Sequence, residues 1–189
     1  MEKRQRRDTR QSSRTQDRPQ DDLDQRIVDV ARVAKVIKGG RRFAFRALIV
    51  VGNNDGKVGI GTGKARGVQD AIRKATERAR NNMRDVHLRG HTIPHEVVMK
   101  HGGARVLLKP ASPGTGIVAG GGVRAVLEAA GVKDILTKSL GSSSKLNATY
   151  ATYQGLLSLR DVEDETQRRG KAAGQLKPFW ERGESHEER

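Results

Sequence analysis

The sequence predicts an α+β fold of two small domains, and three observations support this. The first half contains three strand-like segments followed by an amphipathic helical segment. The second half has the predicted order strand, strand, helix, strand, helix. Residues 23–160 hold 24 basic and 9 acidic side chains, which accounts for the whole net charge of +15. We therefore expect domains over residues 23–86 and 94–160, each with a modest core, between a disordered basic extension (1–22) and a charged tail (161–189).

The first domain begins with three predicted strands. Residues 26–38 are rich in Val and Ile, and Gly39-Gly40 ends this strand. Residues 42–51 alternate, which predicts a half-buried strand. One face of that strand carries Phe43, Phe45, Ala47, Ile49 and Val51, and the other carries Arg42, Ala44, Arg46, Leu48 and Val50. Asn53 to Gly56 has the composition of a hairpin turn, so residues 57–63 return as the third strand.

An amphipathic helix is predicted over residues 67–83. Its apolar arc contains Val68, Ala71, Ile72, Ala75, Ala79 and Met83, whereas Arg66, Arg73, Arg80 and Arg84 align on the opposite side. Two interpretations of this basic stripe stay open. It is either a solvated face, supported by nearby Asp70 and Glu77, or a surface that faces phosphates.

The second domain combines short strands with two helices. Strands are predicted over residues 96–100 and 104–109, and a loop follows from Pro110 to Gly116. Three glycines at 120–122 lead into a helix over 123–130 that Gly131 ends. A strand over residues 132–140 precedes a helix that Asn147 is expected to cap.

Bulk composition indicates a polyanionic partner. The chain has a pI near 10.7 and contains no cysteine, so thiolate metal sites and disulfides are excluded. The first residues form no apolar signal segment and no run approaches the length of a membrane span, so we expect a cytoplasmic protein that binds no membrane. A nucleoid-type DNA binder would also be basic, but the sequence has no wedge motif of that class.

Motifs of nucleotide and metal chemistry are incomplete. The run from Gly59 to Lys64 lacks the spacing and the following hydroxyl of a P-loop, and the run from Gly114 to Gly120 lacks the context of a dinucleotide fingerprint. The alternating Gly59, Gly61 and Gly63 instead indicate a bare strand face that RNA or a packed element can approach. Histidines 87, 91 and 95 do not share a helix because Gly90 and Pro94 interrupt it. We expect no catalytic residues, metal, cofactor or small-molecule substrate.

The few aromatic residues restrict the mode of RNA binding. Three Phe, two Tyr and one Trp are present, and most of them fall on predicted core faces. Readers of single-stranded RNA need exposed aromatic platforms, so base stacking is not expected to be the main mode. The composition favours recognition of folded RNA by shape and phosphate contact.

Five sequence runs closely resemble one family of ribosomal proteins. They are VAKVIKGGRRF (33–43), VVGN (50–53), GKVGIGTGKA (56–65), KPASPGTGIVAGG (109–121) and RAVLE (124–128). In order and spacing they are similar to the bacterial fifth protein of the small ribosomal subunit, the S-five family. The resemblance covers about residues 23–160.

The resemblance implies a first domain like the double-stranded-RNA-binding fold, with a three-stranded sheet and a helix, and a second domain of the left-handed strand–helix–strand type. It implies a structural role in the ribosome: binding small-subunit ribosomal RNA, stabilising the head against the body and influencing translational accuracy. It also implies contact with messenger RNA where it enters the subunit and with small-subunit proteins four and eight. The loop from Lys35 to Arg42 corresponds to the family's RNA-contacting loop, and Arg124 to a region that faces the fourth protein.

Charge and resemblance together select the candidate site residues. The predicted RNA contacts are Arg32, Lys35, Lys38, Gly39, Gly40, Arg41, Arg42, Lys57, Lys64, Arg66, Arg73 and Arg80. The predicted protein contacts are Arg124, Gly114 and Gly121, and the glycines at 114, 116 and 120–122 are expected to serve positive φ angles or close approach.

Overall fold

Two four-stranded sheets and four helices make up the part of the chain that the structure, a computed structural model, describes. This part is residues 23–170, so the predicted extension 1–22 and the end of the predicted tail lie outside it. The elements in chain order are β1 (Asp24–Ile37), β2 (Gly40–Gly52), β3 (Lys57–Ala65), α1 (Val68–Asn81), β4 (Arg84–Asp85), β5 (Val97–His101), β6 (Ala104–Pro110), β7 (Ile117–Val118), α2 (Gly121–Ala130), β8 (Ile135–Ser139), α3 (Lys145–Leu157) and α4 (Val162–Arg169).

The first sheet is antiparallel with the order β1-β2-β3-β4. The three predicted strands are confirmed, and the two-residue β4 adds an unpredicted fourth strand. Strands β1 and β2 form a long hairpin in which Ile37 pairs with Gly40. Gly39 has a φ of +92° and Gly40 a φ of +151°, values that favour glycine, so these residues close the hairpin tightly.

Helix α1 packs on the first sheet through small residues. Ala71, Ala75 and Ala79 are fully buried and lie against the glycines of β3. A Cβ atom on Gly61 would overlap the backbone carbonyl oxygen of Ala75, and Gly59 and Gly63 are crowded by the helix in the same way. The glycine face of β3 therefore accommodates a packed helix. Of the two alternatives that the sequence left open, RNA or a packed element, the second is correct.

Residues 47–52 of strand β2 are buried on both faces, so the prediction of a half-buried strand is wrong for this part. Ala47 and Ile49 pack against α1, while Leu48 and Val50 on the opposite face are equally inaccessible. The second face is covered by the other domain, because α2 packs against β1, β2 and β3. The two domains share one core, whose members include Leu48, Val50, Val58, Ile60, Val126, Leu127, Ala130 and Ile135.

The turn between β2 and β3 caps the C-terminal end of α2. The amide of Asn54 donates a hydrogen bond to the carbonyl oxygen of Ala129 at 3.1 Å, and the amide of Gly56 donates to that of Ala130 at 2.9 Å. The last carbonyls of a helix have no partner within the helix, so the turn satisfies groups that α2 leaves open. Gly131 ends α2 as predicted, with a φ of +90°, and a Cβ there would overlap the carbonyl oxygen of Asn54.

Polar contacts add to this junction between the domains. The guanidinium of Arg26 on β1 contacts the carboxylate of Glu128 on α2. Lys145 on α3 pairs with Asp29 on β1 at 3.0 Å. The hydroxyl of Tyr153 on α3 donates to the carbonyl oxygen of Asn82, which follows α1, at 2.7 Å. These contacts tie α2 and α3 to β1, and α3 to the residue that follows α1.

The second sheet has the order β5-β6-β8-β7 and is mixed. Strands β5, β6 and β8 pair antiparallel, whereas β7 and β8 are parallel and are connected through α2. Helix α3 covers this sheet, and Ser144 rather than Asn147 occupies its N-cap position. Helix α4 lies in the segment predicted to be a charged tail, and its residues VEDETQRR contain a single apolar side chain. No helix within residues 23–170 has both the length and the apolar composition to cross a bilayer.

Candidate nucleic-acid interface

The β1–β2 hairpin extends past the rest of its sheet. Strand β3 pairs with β2 only as far as Ala65 opposite Phe45, so residues 33–44 form a ribbon of two strands. We call residues 32–46 the hairpin tip. The stretch 30–54 contains six cations and no carboxylate. The six are Arg32, Lys35, Lys38, Arg41, Arg42 and Arg46, and none of them is buried.

One face of the hairpin tip places cations directly opposite each other. Lys35 on β1 pairs with Arg42 on β2, and Arg46 on β2 pairs with Lys64 on β3. Arg42 and Arg46 share the face of β2 that carries Leu48. Like charges in directly opposed positions destabilise a sheet by about 0.2–1 kcal/mol for each pair. A polyanion bound to this face would remove that repulsion.

The other face of the hairpin tip carries exposed apolar side chains. Phe43 is 53% exposed and Val36 is 73% exposed. The guanidinium carbon of Arg32 lies 4.8 Å from the centre of the Phe43 ring. The expectation that strand aromatics face a core holds for Phe45, which packs against α1, and is wrong for Phe43. The reason is that α1 and β3 both end before they reach Phe43.

The predicted basic stripe runs along the solvent side of α1. Arg66, Arg73 and Arg80 are all exposed. Arg73 pairs with Asp70 at 3.4 Å, which favours the solvated interpretation for that residue. From Arg66 to Arg80 the stripe covers about 20 Å at the helical rise of 1.5 Å per residue. Because α1 packs on the face of β2 that carries Ala47 and Ile49, the stripe and the opposed cations lie on opposite sides of the sheet.

Lys57 lies away from the other predicted RNA contacts. It is the first residue of β3, and its ammonium group is 3.5 Å from the carboxylate of Asp85. Lys64 stands near the other end of the same strand, about 23 Å away at the usual rise per strand residue. The structure brings Lys35, Arg42, Arg46 and Lys64 together and leaves Lys57 at the opposite end of the sheet. A role for Lys57 in RNA binding stays a prediction.

The predicted protein contacts lie around the N-terminal end of α2. Arg124 donates a hydrogen bond to the carbonyl oxygen of Ile117 at 3.1 Å, and it lines a cleft with Arg26, Glu128 and Lys133. Gly114 and Gly116 have φ angles of +86° and +74° in an exposed loop, consistent with the backbone role expected of them.

Gly121 differs from those two glycines. It has no positive φ, and nothing lies within 4 Å of the position its Cβ would take. The prediction of a positive φ angle is therefore wrong for Gly121, and it is also wrong for Gly120. Gly122 is the crowded member of the run, because its Cβ would lie 2.8 Å from the hydroxyl of Thr149.

Comparison with protein families identifies both halves of this structure. The model described as ribosomal protein S5, N-terminal domain, matches residues 23–87, and the model described as ribosomal protein S5, C-terminal domain, matches residues 99–169. The chain belongs to the ribosomal protein S5 family. It is thus a structural protein of the small ribosomal subunit that binds ribosomal RNA and takes part in translation. The second match includes α4, which the resemblance in the sequence did not cover.

In this S5-family chain His95 and His91 accept hydrogen bonds within the fold, the first through its ring and the second through its backbone. The Nε2 atom of His95 accepts a hydrogen bond from the amide of Arg160 at 3.2 Å. The backbone carbonyl of His91 accepts from the amides of Lys133 and Asp134. Within residues 23–170 no three His, Cys, Asp or Glu side chains are grouped as metal ligands.

Two residues of the candidate RNA surface were absent from the sequence-based selection. Arg46 shares a strand face with Arg42, and the alternation of β2 already indicated this. Its pairing with Lys64 needs the register of the β2–β3 hairpin, which follows from the turn at residues 53–56. No sequence pattern indicated that Phe43 is exposed, because its exposure depends on where α1 begins relative to β2.

Proposed function

We propose that the hairpin tip binds folded small-subunit ribosomal RNA and that this contact stabilises the head of the subunit against its body. Through this position the protein influences the accuracy of decoding near the region where messenger RNA enters. The observation that carries the proposal is the two pairs of opposed cations, Lys35 with Arg42 and Arg46 with Lys64. All of these except Lys64 lie in the stretch 30–54, which has no carboxylate.

Without a bound polyanion, the opposed cations of the hairpin tip only cost the protein stability. Opposed cations on a two-stranded ribbon repel each other and stabilise nothing in the free protein. Phosphate groups convert the same arrangement into several charge-assisted contacts and release condensed counterions from the RNA. Contacts of this kind position a protein on RNA without reading its base sequence. Recognition by shape and phosphate is therefore the expected mode at this face.

For the second domain we propose contacts with small-subunit proteins four and eight. Two features support a protein surface at the N-terminal end of α2. The loop that holds Gly114 and Gly116 is exposed beside Arg124, and Gly121 has open space where a side chain would stand. A neighbouring backbone can approach Gly121 closely because no Cβ is present. The family resemblance supports the identity of these neighbours and the contact with messenger RNA.

We further propose that the protein has no catalytic activity, needs no cofactor and works in cytoplasmic ribosomes. Its cationic side chains make the contacts on which the proposed function depends. The two domains act as one rigid block because they share a core. A nucleotide-dependent enzyme is the competing class. Tight binding of ATP or GTP by the purified protein would support that class instead.

The decisive experiment measures RNA affinity at several salt concentrations. The double variant Lys38→Ala with Arg41→Ala removes two cations next to the glycine turn and leaves the core untouched. We expect weaker binding to small-subunit RNA and a slope of log K against log salt that is lower by about two units. The double variant Lys100→Ala with Lys138→Ala, which removes two exposed cations from the second sheet, serves as the matched control. A double variant with an unchanged slope and an unchanged thermal melt would refute the proposal.

A further inference from the structure

We propose that Phe43 and Arg32 form a stacking site for a single unpaired RNA base on the apolar face of the hairpin tip. This inference rests on the proposed function, because it assumes that the hairpin tip meets RNA. It adds a second kind of contact on the face opposite the paired cations. One face of the ribbon holds phosphates and the other holds a base.

The geometry of the pair fits a planar ligand. The guanidinium of Arg32 lies over the Phe43 ring with its carbon 4.8 Å from the ring centre, within the range of a cation–π contact. Arg32 is directly opposite Phe45, so it reaches Phe43 diagonally across the ribbon. Both Arg32 and Phe43 are open to solvent. Stacking on a ring or on a guanidinium plane is how proteins hold unpaired bases.

The residues around Phe43 favour an RNA base over a protein partner or a second copy of this chain as the occupant of the site. Val36 beside it is more exposed still, and Lys38 and Arg41 stand at the adjacent turn. An apolar patch of a protein partner would have to supply carboxylates for every nearby cation. A second copy of this chain would bring more cations against them. RNA supplies a flat apolar surface and a negative backbone in one molecule.

The turn leaves room for such a ligand. A Cβ on Gly39 or Gly40 would have no neighbour within 4 Å, so no part of residues 23–170 packs over the turn. The positive φ angles fix the ribbon's end without adding side chains there. A base extruded from folded RNA can therefore reach Phe43 past the turn without a steric barrier.

The test compares Phe43→Ala, Phe43→Leu and Phe43→Trp in the full chain, with small-subunit ribosomal RNA as the probe. Stacking predicts that Ala and Leu each weaken binding by about 5- to 100-fold, whereas Trp keeps or improves the affinity. The slope of log K against log salt should stay unchanged in all three, because no charge is removed. Val118→Ala provides the matched control, since Val118 is a half-exposed apolar residue of the second domain. Thermal melts establish that each variant is folded.

Two results would overturn the stacking site. One is full affinity in Phe43→Leu, which would mean that any apolar cover is sufficient. The other is full affinity in Phe43→Ala. Either result leaves the proposed function standing if the Lys38→Ala, Arg41→Ala variant still lowers the salt slope. If that slope does not fall, the proposed function itself fails, so the two failures are distinguishable.

Discussion

Gly52 at the end of β2 lies directly against the backbone of Ala129 at the end of α2. A Cβ on Gly52 would overlap the carbonyl oxygen of Ala129, which already accepts a hydrogen bond from Asn54. The only atoms that could move are main-chain atoms of a buried helix end. Contact between the two domains at this point therefore depends on the absence of a side chain at Gly52.

We predict that Gly52→Ala destabilises the whole protein by about 1–3 kcal/mol, the usual cost of forcing extra volume into a packed core. Because the domains share a core, both should lose stability in a single transition. Chemical denaturation followed by circular dichroism measures this. Gly121→Ala is the matched control and should cost nothing, since open space surrounds that position. Two separate transitions in the parent chain would contradict the shared core.

Removal of one of the opposed cations should raise the stability of the free protein and lower its affinity for RNA. Lys64→Ala removes the repulsion with Arg46, so the free protein should become more stable by about 0.2–1 kcal/mol. The same variant should bind small-subunit RNA more weakly, with a salt slope lower by about one unit. Thermal melts and salt-dependent affinities check the two halves separately. A variant that loses stability and keeps its affinity would show that Lys64 serves the fold instead.

Substitutions at Gly121 and Gly122 should distinguish a defect in subunit assembly from a defect in folding. Gly121→Val should leave the melting temperature of the isolated chain nearly unchanged, because nothing lies near the new side chain. Its incorporation into reconstituted small subunits should fall if a neighbour approaches that surface. Gly122→Val should instead lower the melting temperature, since its side chain would collide with Thr149. Normal incorporation of Gly121→Val would mean that the position is a plain connector.

Tyr153 predicts a loss of stability in alkali. Burial raises the pKa of its hydroxyl above the ordinary 10.0, although Arg84 works in the opposite direction. The protonated form is favoured in the folded state, so this contribution is complete below pH 10 and is lost as the pH rises through the folded-state pKa. Tyr153→Phe also removes the hydrogen bond to Asn82, which costs about 0.5–1.5 kcal/mol at neutral pH. The difference in unfolding free energy between parent and variant should shrink from pH 9 to pH 11.

Local sequence patterns were sufficient to predict most elements of the fold. The turn at residues 53–56, helix α1 and the end of α2 at Gly131 follow from turn chemistry, periodicity and a C-terminal glycine, all of which act within a few residues. The burial of residues 47–51 on both faces could also be predicted, because this run of β2 is continuously apolar. A continuous apolar run indicates burial on both faces even where a longer alternation surrounds it.

Features that depend on the relative lengths of distant elements could not be predicted. Phe43 is exposed because β3 ends opposite Phe45, two residues away along β2, and no pattern around residue 43 contains that information. The capping of α2 by the turn at residues 53–56 joins positions more than 70 residues apart in the chain. Charge could select Lys35 and Arg42, but their opposition across the ribbon needed the register of the strands.

Strand β2 runs without interruption from Gly40 at the hairpin tip to Gly52 at the end of α2, a length of about 40 Å. Under the proposed function, a load applied by RNA at the hairpin tip would pass along an unbroken strand to the helix whose other end bears Arg124. The protein would then act as a mechanical strut between its two proposed partners. Genetic suppressors of defects at the hairpin tip should accordingly include substitutions in α2 and in the turn at residues 53–56, at the other end of β2.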